Sequence, residues 1–123
     1  MALALSALTC AHRPGGSDAP APTRWPVPLT VENKSSHDLT IYVVHDGRRE
    51  RLDRIEAART ETFTIPVRMI GMLGDFQLIG ERPAFAGRIM TQSVSPKECD
   101  RLEWTIEAQL DHSVLAMFPK ASC

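Results

Sequence analysis

The sequence predicts an all-β fold: an antiparallel β-sandwich of immunoglobulin-like shape, with about seven or eight strands, reached through an extended N-terminal tether. Three observations carry this expectation. After residue 28, apolar and polar side chains alternate in short runs, the period-two signature of half-buried strands. Gly, Pro, Asn and Asp signals separate those runs. Five of the nine prolines (Pro14, Pro20, Pro22, Pro26, Pro28) crowd into residues 11–28, where fixed φ and the missing N–H exclude a sheet interior.

The elements follow in order. Leu29-Thr30-Val31-Glu32-Asn33 alternates, and Asn33-Lys34-Ser35-Ser36 turns. Asp38 to His45 is the strongest strand: Leu39, Ile41 and Val43 share one face, Thr40, Tyr42 and Val44 the other. Asp46-Gly47 predicts a type I′ hairpin, because both central positions need φ > 0. It leads into a strand over Arg48–Ile55. Glu56-Ala57-Ala58-Arg59 interrupts the alternation, and Thr60–Ile65 resumes it, with Phe63 and Ile65 inward and Thr62 and Thr64 outward.

Pro66-Val67-Arg68-Met69-Ile70 suits one short helical turn, ended by Gly71 and Gly74. Asp75–Glu81 is the next strand, stopped by Pro83. Gly87–Val94 follows and ends before Pro96. Arg101–Gln109 alternates cleanly, with Leu102, Trp104, Ile106 and Ala108 inward. A turn at Leu110-Asp111-His112 leads to Ser113–Phe118, which is apolar on both faces and therefore expected at the centre of a sheet. Two packed sheets are the natural solution, since one open sheet leaves its apolar face wet.

Composition bounds the partners. The chain has 123 residues, 14 basic against 15 acidic, and a formal net charge of −1. One domain fits this length. The near balance supplies no broad positive field for nucleic acid. No apolar run approaches the roughly 18–20 residues that span a bilayer.

The cysteines divide one and two. Met1-Ala-Leu-Ala-Leu-Ser-Ala-Leu-Thr-Cys10 is small and apolar up to Thr9-Cys10, and the Pro-rich run follows. This stretch resembles the end of a bacterial lipoprotein signal, which implies acylation at Cys10. It departs from that pattern at Ala7 and Thr9 and has no Lys or Arg before the apolar part, so the expected translation start lies upstream. Cys99 and Cys123 stand equally far from Asp111. In a hairpin centred there they face each other, which makes them a disulfide candidate in an exported protein. A loop of that size contributes ~3 kcal/mol in the chain-entropy model.

Chemistry-bearing constellations are sparse. His12 lies in the tether; His37, His45 and His112 lie near strand ends or turns. With Cys99 and Met117 they match the ligand types of a blue-copper site but not its spacing on one short loop. No zinc motif, nucleophile elbow, P-loop or dinucleotide fingerprint occurs. Glu103 and Glu107, on one strand face, stand ~13 Å apart at strand rise, too far for glycosidase chemistry. No catalytic residue, metal or cofactor is expected, and the chain reads as a non-enzyme.

Arg48, Arg49, Arg51, Arg54 and Arg59 interleave with Asp46, Glu50, Asp53 and Glu56, leaving residues 46–59 at +1. Such a strand suits a charged sheet edge that blocks aggregation. Its functional alternative is a ligand or partner surface. Arg49 and Arg51 share a face in an alternating strand and can grip a carboxylate or phosphate headgroup.

Val31-Glu32-Asn33, Leu39-Thr40-Ile41-Tyr42-Val43-Val44, Phe63-Thr64-Ile65-Pro66 and Leu102-Glu103-Trp104-Thr105-Ile106 together resemble small uncharacterised bacterial secreted and lipoprotein-type β-sandwich domains. The resemblance covers about residues 29–118. It implies a sandwich and an envelope location, and it carries no catalytic residues.

The expected organisation is a signal-like segment over 1–10, a tether over 11–28, the sandwich over 29–119 and a tail over 120–123. The expected function is a non-enzymatic cell-envelope lipoprotein whose sandwich is an interaction or structural module, its membrane contact the lipid and its partner an envelope protein or glycan. Ala11 after the cysteine favours the outer membrane by analogy. The alternative is a soluble periplasmic domain for a small ligand or carbohydrate. Against it, aromatics are few (Trp25, Tyr42, Trp104 and four Phe) and most are needed in the core.

Overall fold

The computed structural model describes residues 24–85, 87–109 and 112–119. Among the described residues, eight strands form two four-stranded sheets: β1 (Val27–Asn33), β2 (Leu39–His45), β3 (Arg48–Ile55), β4 (Thr60–Ile65), β5 (Gln77–Glu81), β6 (Arg88–Met90), β7 (Arg101–Ile106) and β8 (Ser113–Phe118). One sheet has the order β4-β1-β7-β8, the other β3-β2-β5-β6. The expected sandwich is therefore present. One pair departs from an all-antiparallel arrangement: β1 runs parallel to β7, with Leu29 beside Leu102 and Val31 beside Trp104.

The period-two pattern places the core. Val27, Leu29 and Val31 of β1, Leu39, Ile41 and Val43 of β2, and Leu102, Trp104 and Ile106 of β7 are all buried in the layer between the sheets. Burying each such side chain contributes ~1.5–3 kcal/mol before ordering costs. Trp25, in the Pro-rich stretch before β1, folds back and packs against this core.

Several element bounds differ from expectation for identifiable reasons. β1 starts at Val27, so Pro28 lies inside a strand, opposite Thr64 of β4. It is accommodated because pairing with β7 begins only at Leu29, and Pro28 has a ladder neighbour on one side alone. β6 ends at Met90 rather than continuing to Val94. There the Thr91 hydroxyl accepts the Leu78 N–H at 3.0 Å, a bond a ladder carbonyl would otherwise take. The chain rejoins the sheet only at the isolated Phe76–Val94 bridge.

β7 stops at Ile106, and Ala108 is exposed rather than inward. Arg101 pairs with Phe118 and Ile106 with Ser113, so the hairpin centre lies between residues 109 and 110, not at Asp111. Cys99 has already left the ladder, with φ 72. Cys123 lies outside the described residues, as do Cys10, the signal-like segment, and the tether up to residue 23.

β8 is an edge strand of its sheet, not a central one. Its doubly apolar pattern misled because Val114 and Phe118 are exposed on the outer face, while Leu115 alone packs against the core. The short 3₁₀ turn Val67–Met69 follows Pro66 as expected, and Met69 is buried. Asp46 and Gly47 adopt φ 49 and 73, the left-handed pair that the hairpin requires. Among the described residues no helix is long and apolar enough to cross a membrane.

Candidate functional site

The arginine-rich strand β3 is the edge of its sheet next to β2, and one irregularity governs where its side chains point. Tyr42 pairs with Arg51, but its neighbour Ile41 pairs with Asp53. The extra residue, Leu52, packs against the core. This bulge keeps Leu52 inward without turning the arginines in, so Arg49 (opposite Val44), Arg51 (opposite Tyr42) and Arg54 (opposite Thr40) all lie on the outer face.

Arg49 and Arg51 share a face as expected but do not converge. The Arg49 guanidinium lies 3.8 Å from the centroid of the Tyr42 ring and makes an ion pair with Glu81 on β5. It thus reaches diagonally across β2, held by stacking on one side and a carboxylate on the other. The Tyr42 side chain first, and then Glu81, hold its pKa above the ordinary value, against desolvation. Arg51 is exposed and makes no ion pair among the described residues. Arg54 is engaged by Asp38, and Arg59 lies 3.7 Å from Glu56.

Glu81 is the pivot of this face. In the ladder it stands between Thr40 of β2 and Arg88 of β6. Two concavities open beside it. One, of about 340 Å³, is walled mostly by carbon and is bordered by Arg49, Glu81, Gly87 and Arg88. The other, of about 390 Å³, lies over Tyr42 and Thr40 and reaches Arg82 and Pro83. Arg49 and Glu81 line both, so the two form one bipartite depression. Arg82, Pro83 and Gly87 form part of its rim, and the Arg82 N–H donates to the Gly87 carbonyl at 2.9 Å.

Arg82 and Arg88 escaped the sequence reading, as did the roles of Tyr42 and Glu81. Neither arginine belongs to the 46–59 cluster, and only the β2–β5 and β5–β6 pairings bring them to it. The available signal was Glu81-Arg82-Pro83 ending one strand and Gly87-Arg88 opening the next, but its use requires a strand order that alternation does not encode.

The remaining chemical residues are dispersed. His45 is buried at the end of β2, with Nδ1 3.1 Å from Asp46 Oδ2 and Nε2 3.3 Å from Glu50 Oε1. His37 accepts hydrogen bonds through its backbone carbonyl from Asn33 and Ser35. Among the described residues no three His, Cys, Asp or Glu side chains are grouped to hold a metal. Glu107 lies beyond the end of β7 and faces Lys34 at 3.7 Å, so it does not continue the strand face of Glu103.

Neither a family model nor a curated protein matches the chain. A solved structure described as the NMR structure of the protein from Eubacterium rectale is similar in fold at a TM-score of 0.45 and 10% identity, over 80% of this chain and 93% of that one.

Proposed function

We propose that this chain is a non-enzymatic β-sandwich module of the bacterial cell envelope, anchored by lipid at Cys10, that acts by contact through the outer face of its β3-β2-β5-β6 sheet. One observation supports the choice of face. The Arg49 guanidinium is already fixed by Tyr42 and Glu81 beside a bipartite depression. A positioned cation costs less ordering entropy on binding than a free one. The chain between Cys10 and Trp25, which packs on the core, sets the reach from the membrane, and several acyl chains, at ~0.8 kcal/mol per buried CH₂, make the anchor durable.

The same reading places a disulfide between Cys99 and Cys123 in an oxidising compartment. The β7–β8 pairing supports it by bringing Phe118, at the end of β8, beside Arg101, two residues after Cys99. The second reading, a soluble periplasmic domain for a small ligand or carbohydrate, draws on the same depression, in which Tyr42 is the aromatic element.

Expression with the native upstream sequence, followed by intact-mass measurement of the membrane fraction without reduction, tests both readings. The anchored module gives a mass starting at a diacylated or triacylated Cys10 and two hydrogens below the dithiol mass. A soluble, unacylated species in the periplasmic fraction favours the second reading.

A further inference from the structure

We propose that the bipartite depression beside Glu81 binds a phosphate monoester group, with Arg82 and Arg88 as the donors and Arg49 as a prepositioned third guanidinium. This rests on the reading of the β3-β2-β5-β6 outer face as the contact surface and names the chemistry it takes.

Charge is the first argument. The depression is bordered by three guanidiniums and one carboxylate, Arg49, Arg82 and Arg88 against Glu81, a net of +2. Glu81 is committed to Arg49. Arg82 and Arg88 make no ion pair and no side-chain hydrogen bond among the described residues. A phosphate monoester carries about −1.5 to −2 at pH 7, which matches this surplus. A single carboxylate accepts one guanidinium fork and leaves the other unpaired.

Geometry is the second. The Arg82 Nε is buried without a hydrogen-bond partner, so the stem of this side chain is packed into the protein. Its terminal nitrogens are left to reach the depression that Arg82 lines. Arg88 stands across the ladder from Glu81, on the other concavity. The two free guanidiniums therefore approach from the two halves of the depression, with the Arg49–Glu81 pair between them. The carbon-lined half beside Gly87 has room for the organic part of the ester.

The phosphate has two sources with the same chemistry: a soluble ester or a lipid headgroup. Full-length protein is titrated with glycerol 3-phosphate by calorimetry at about 0.15 M ionic strength, where unfocused surface attraction is screened beyond ~8 Å. It is also floated with phosphatidylcholine vesicles containing or lacking phosphatidic acid. The variants are Arg82→Gln, Arg88→Gln and, as a control, Arg51→Gln, an equally unpaired arginine of the same sheet face outside the depression.

Binding weakened about tenfold or more by Arg82→Gln and by Arg88→Gln, and less than twofold by Arg51→Gln, is the expected result. Binding of glycerol 3-phosphate without vesicle flotation assigns a soluble ester, and selective flotation with phosphatidic acid assigns a lipid. Equal losses in all three variants, or no binding of either probe by the wild type, overturn the proposal. Circular dichroism of Arg88→Gln, whose side chain is exposed, keeps the result interpretable if Arg82→Gln misfolds. Acyl chains at Cys10 would float the protein with both kinds of vesicle, so the flotation arm uses the full chain carrying Cys10→Ser, and acylation is read separately by the mass measurement.

Discussion

The Trp104 indole of one sheet closes directly over Gly80 of the other. A Cβ placed on Gly80 would stand 3.2 Å from Trp104 Cη2 and 3.2 Å from Ile89 Cγ2. The ring is fully buried in the core. Gly80 is thus the gap that admits the largest side chain of the sandwich. Gly80→Ala should lower stability by about 1 kcal/mol, the packing strain exceeding the backbone-entropy gain. Gly80→Val should cost about 2–3 kcal/mol as neighbours leave their rotamers. Urea denaturation followed through Trp104 emission checks both values.

A second buried relationship closes the loop between β1 and β2. Asn33 is 1% exposed. Its Nδ2 donates to the carbonyls of His37 at 2.8 Å and Glu56 at 3.1 Å. Its Oδ1 accepts from Ser35 N at 3.1 Å and Ser35 Oγ at 2.6 Å. One amide therefore holds the β1–β2 turn and the end of β3 together. Asn33→Ala strands these groups in a dry site and should cost ~2–4 kcal/mol. Asn33→Asp should cost at least as much, because it removes two donors and aims a carboxylate at two carbonyls. Thermal melts of the two variants provide the test.

Asn33 also shows how far the sequence could be read. Alternation predicted Leu29 to Asn33 as a strand and Asn33 onward as a turn, and both are present. In the sequence Asn33 is only a turn former, since the partners that make it a junction are contributed by Glu56 and His37 through backbone atoms. Period two reports which face a residue occupies, not which strand lies beside it. So the two-sheet layering was legible, and so was the Asp46-Gly47 hairpin with its Arg49-bearing strand. The parallel β1–β7 pair, the edge position of β8, and the approach of Arg82 and Arg88 to Arg49 were not. Each of these depends on a strand order that brings together segments alternation does not link.

Asp38 supplies an acid-sensitive tie between β2 and the end of β3. Its Oδ1 accepts the Ala57 N–H at 2.9 Å, and its Oδ2 accepts from Arg54. The Ala57 backbone bond first, and then Arg54, lower its pKa below the ordinary 3.8. A carboxylate depressed on folding contributes stability above its unfolded pKa and loses it as pH falls through the folded value. Asp38 should therefore help at neutral pH, and that help should begin to fade below about pH 4 and be lost as the pH falls through its lower folded value. Asp38→Asn should be less stable than the wild type at pH 7, with the difference shrinking as the pH falls through that window. Melting temperatures measured from pH 7 to pH 2 display the convergence; a constant difference across the range would contradict it.

Arg49 and Glu81 should be strongly coupled. The Glu81 side chain is 13% exposed and that of Arg49 is 37% exposed, so removing the arginine leaves a mostly buried carboxylate without its cation. Arg49→Gln should cost about 1–2 kcal/mol, a value reduced by the solvent that reaches the guanidinium. Glu81→Gln added to it should recover part of that loss. The double-mutant cycle then gives a favourable coupling of about 1 kcal/mol or more. Additive single and double variants would mean that stacking on Tyr42, and not the ion pair, fixes Arg49.

The edge strand β8 separates surface from core within neighbouring residues. Val114 is 62% exposed, and Leu115, opposite Trp104, packs against the core. Every other edge strand carries charge: Arg48, Arg49 and Arg51 on β3, Glu61 on β4, and Arg88 on β6. Ser113–Phe118 carries none, so this edge lacks the charged residues that discourage strand addition. Val114→Lys should leave stability within about 0.5 kcal/mol of wild type and suppress any concentration-dependent aggregation. Leu115→Lys should destabilise by several kcal/mol, because the ammonium would be forced toward the Trp104 layer. Light scattering against concentration, with urea melts of both variants, distinguishes a surface role for Val114 from a packing one: equal destabilisation by the two lysines would place β8 deeper in the sandwich than its edge position allows.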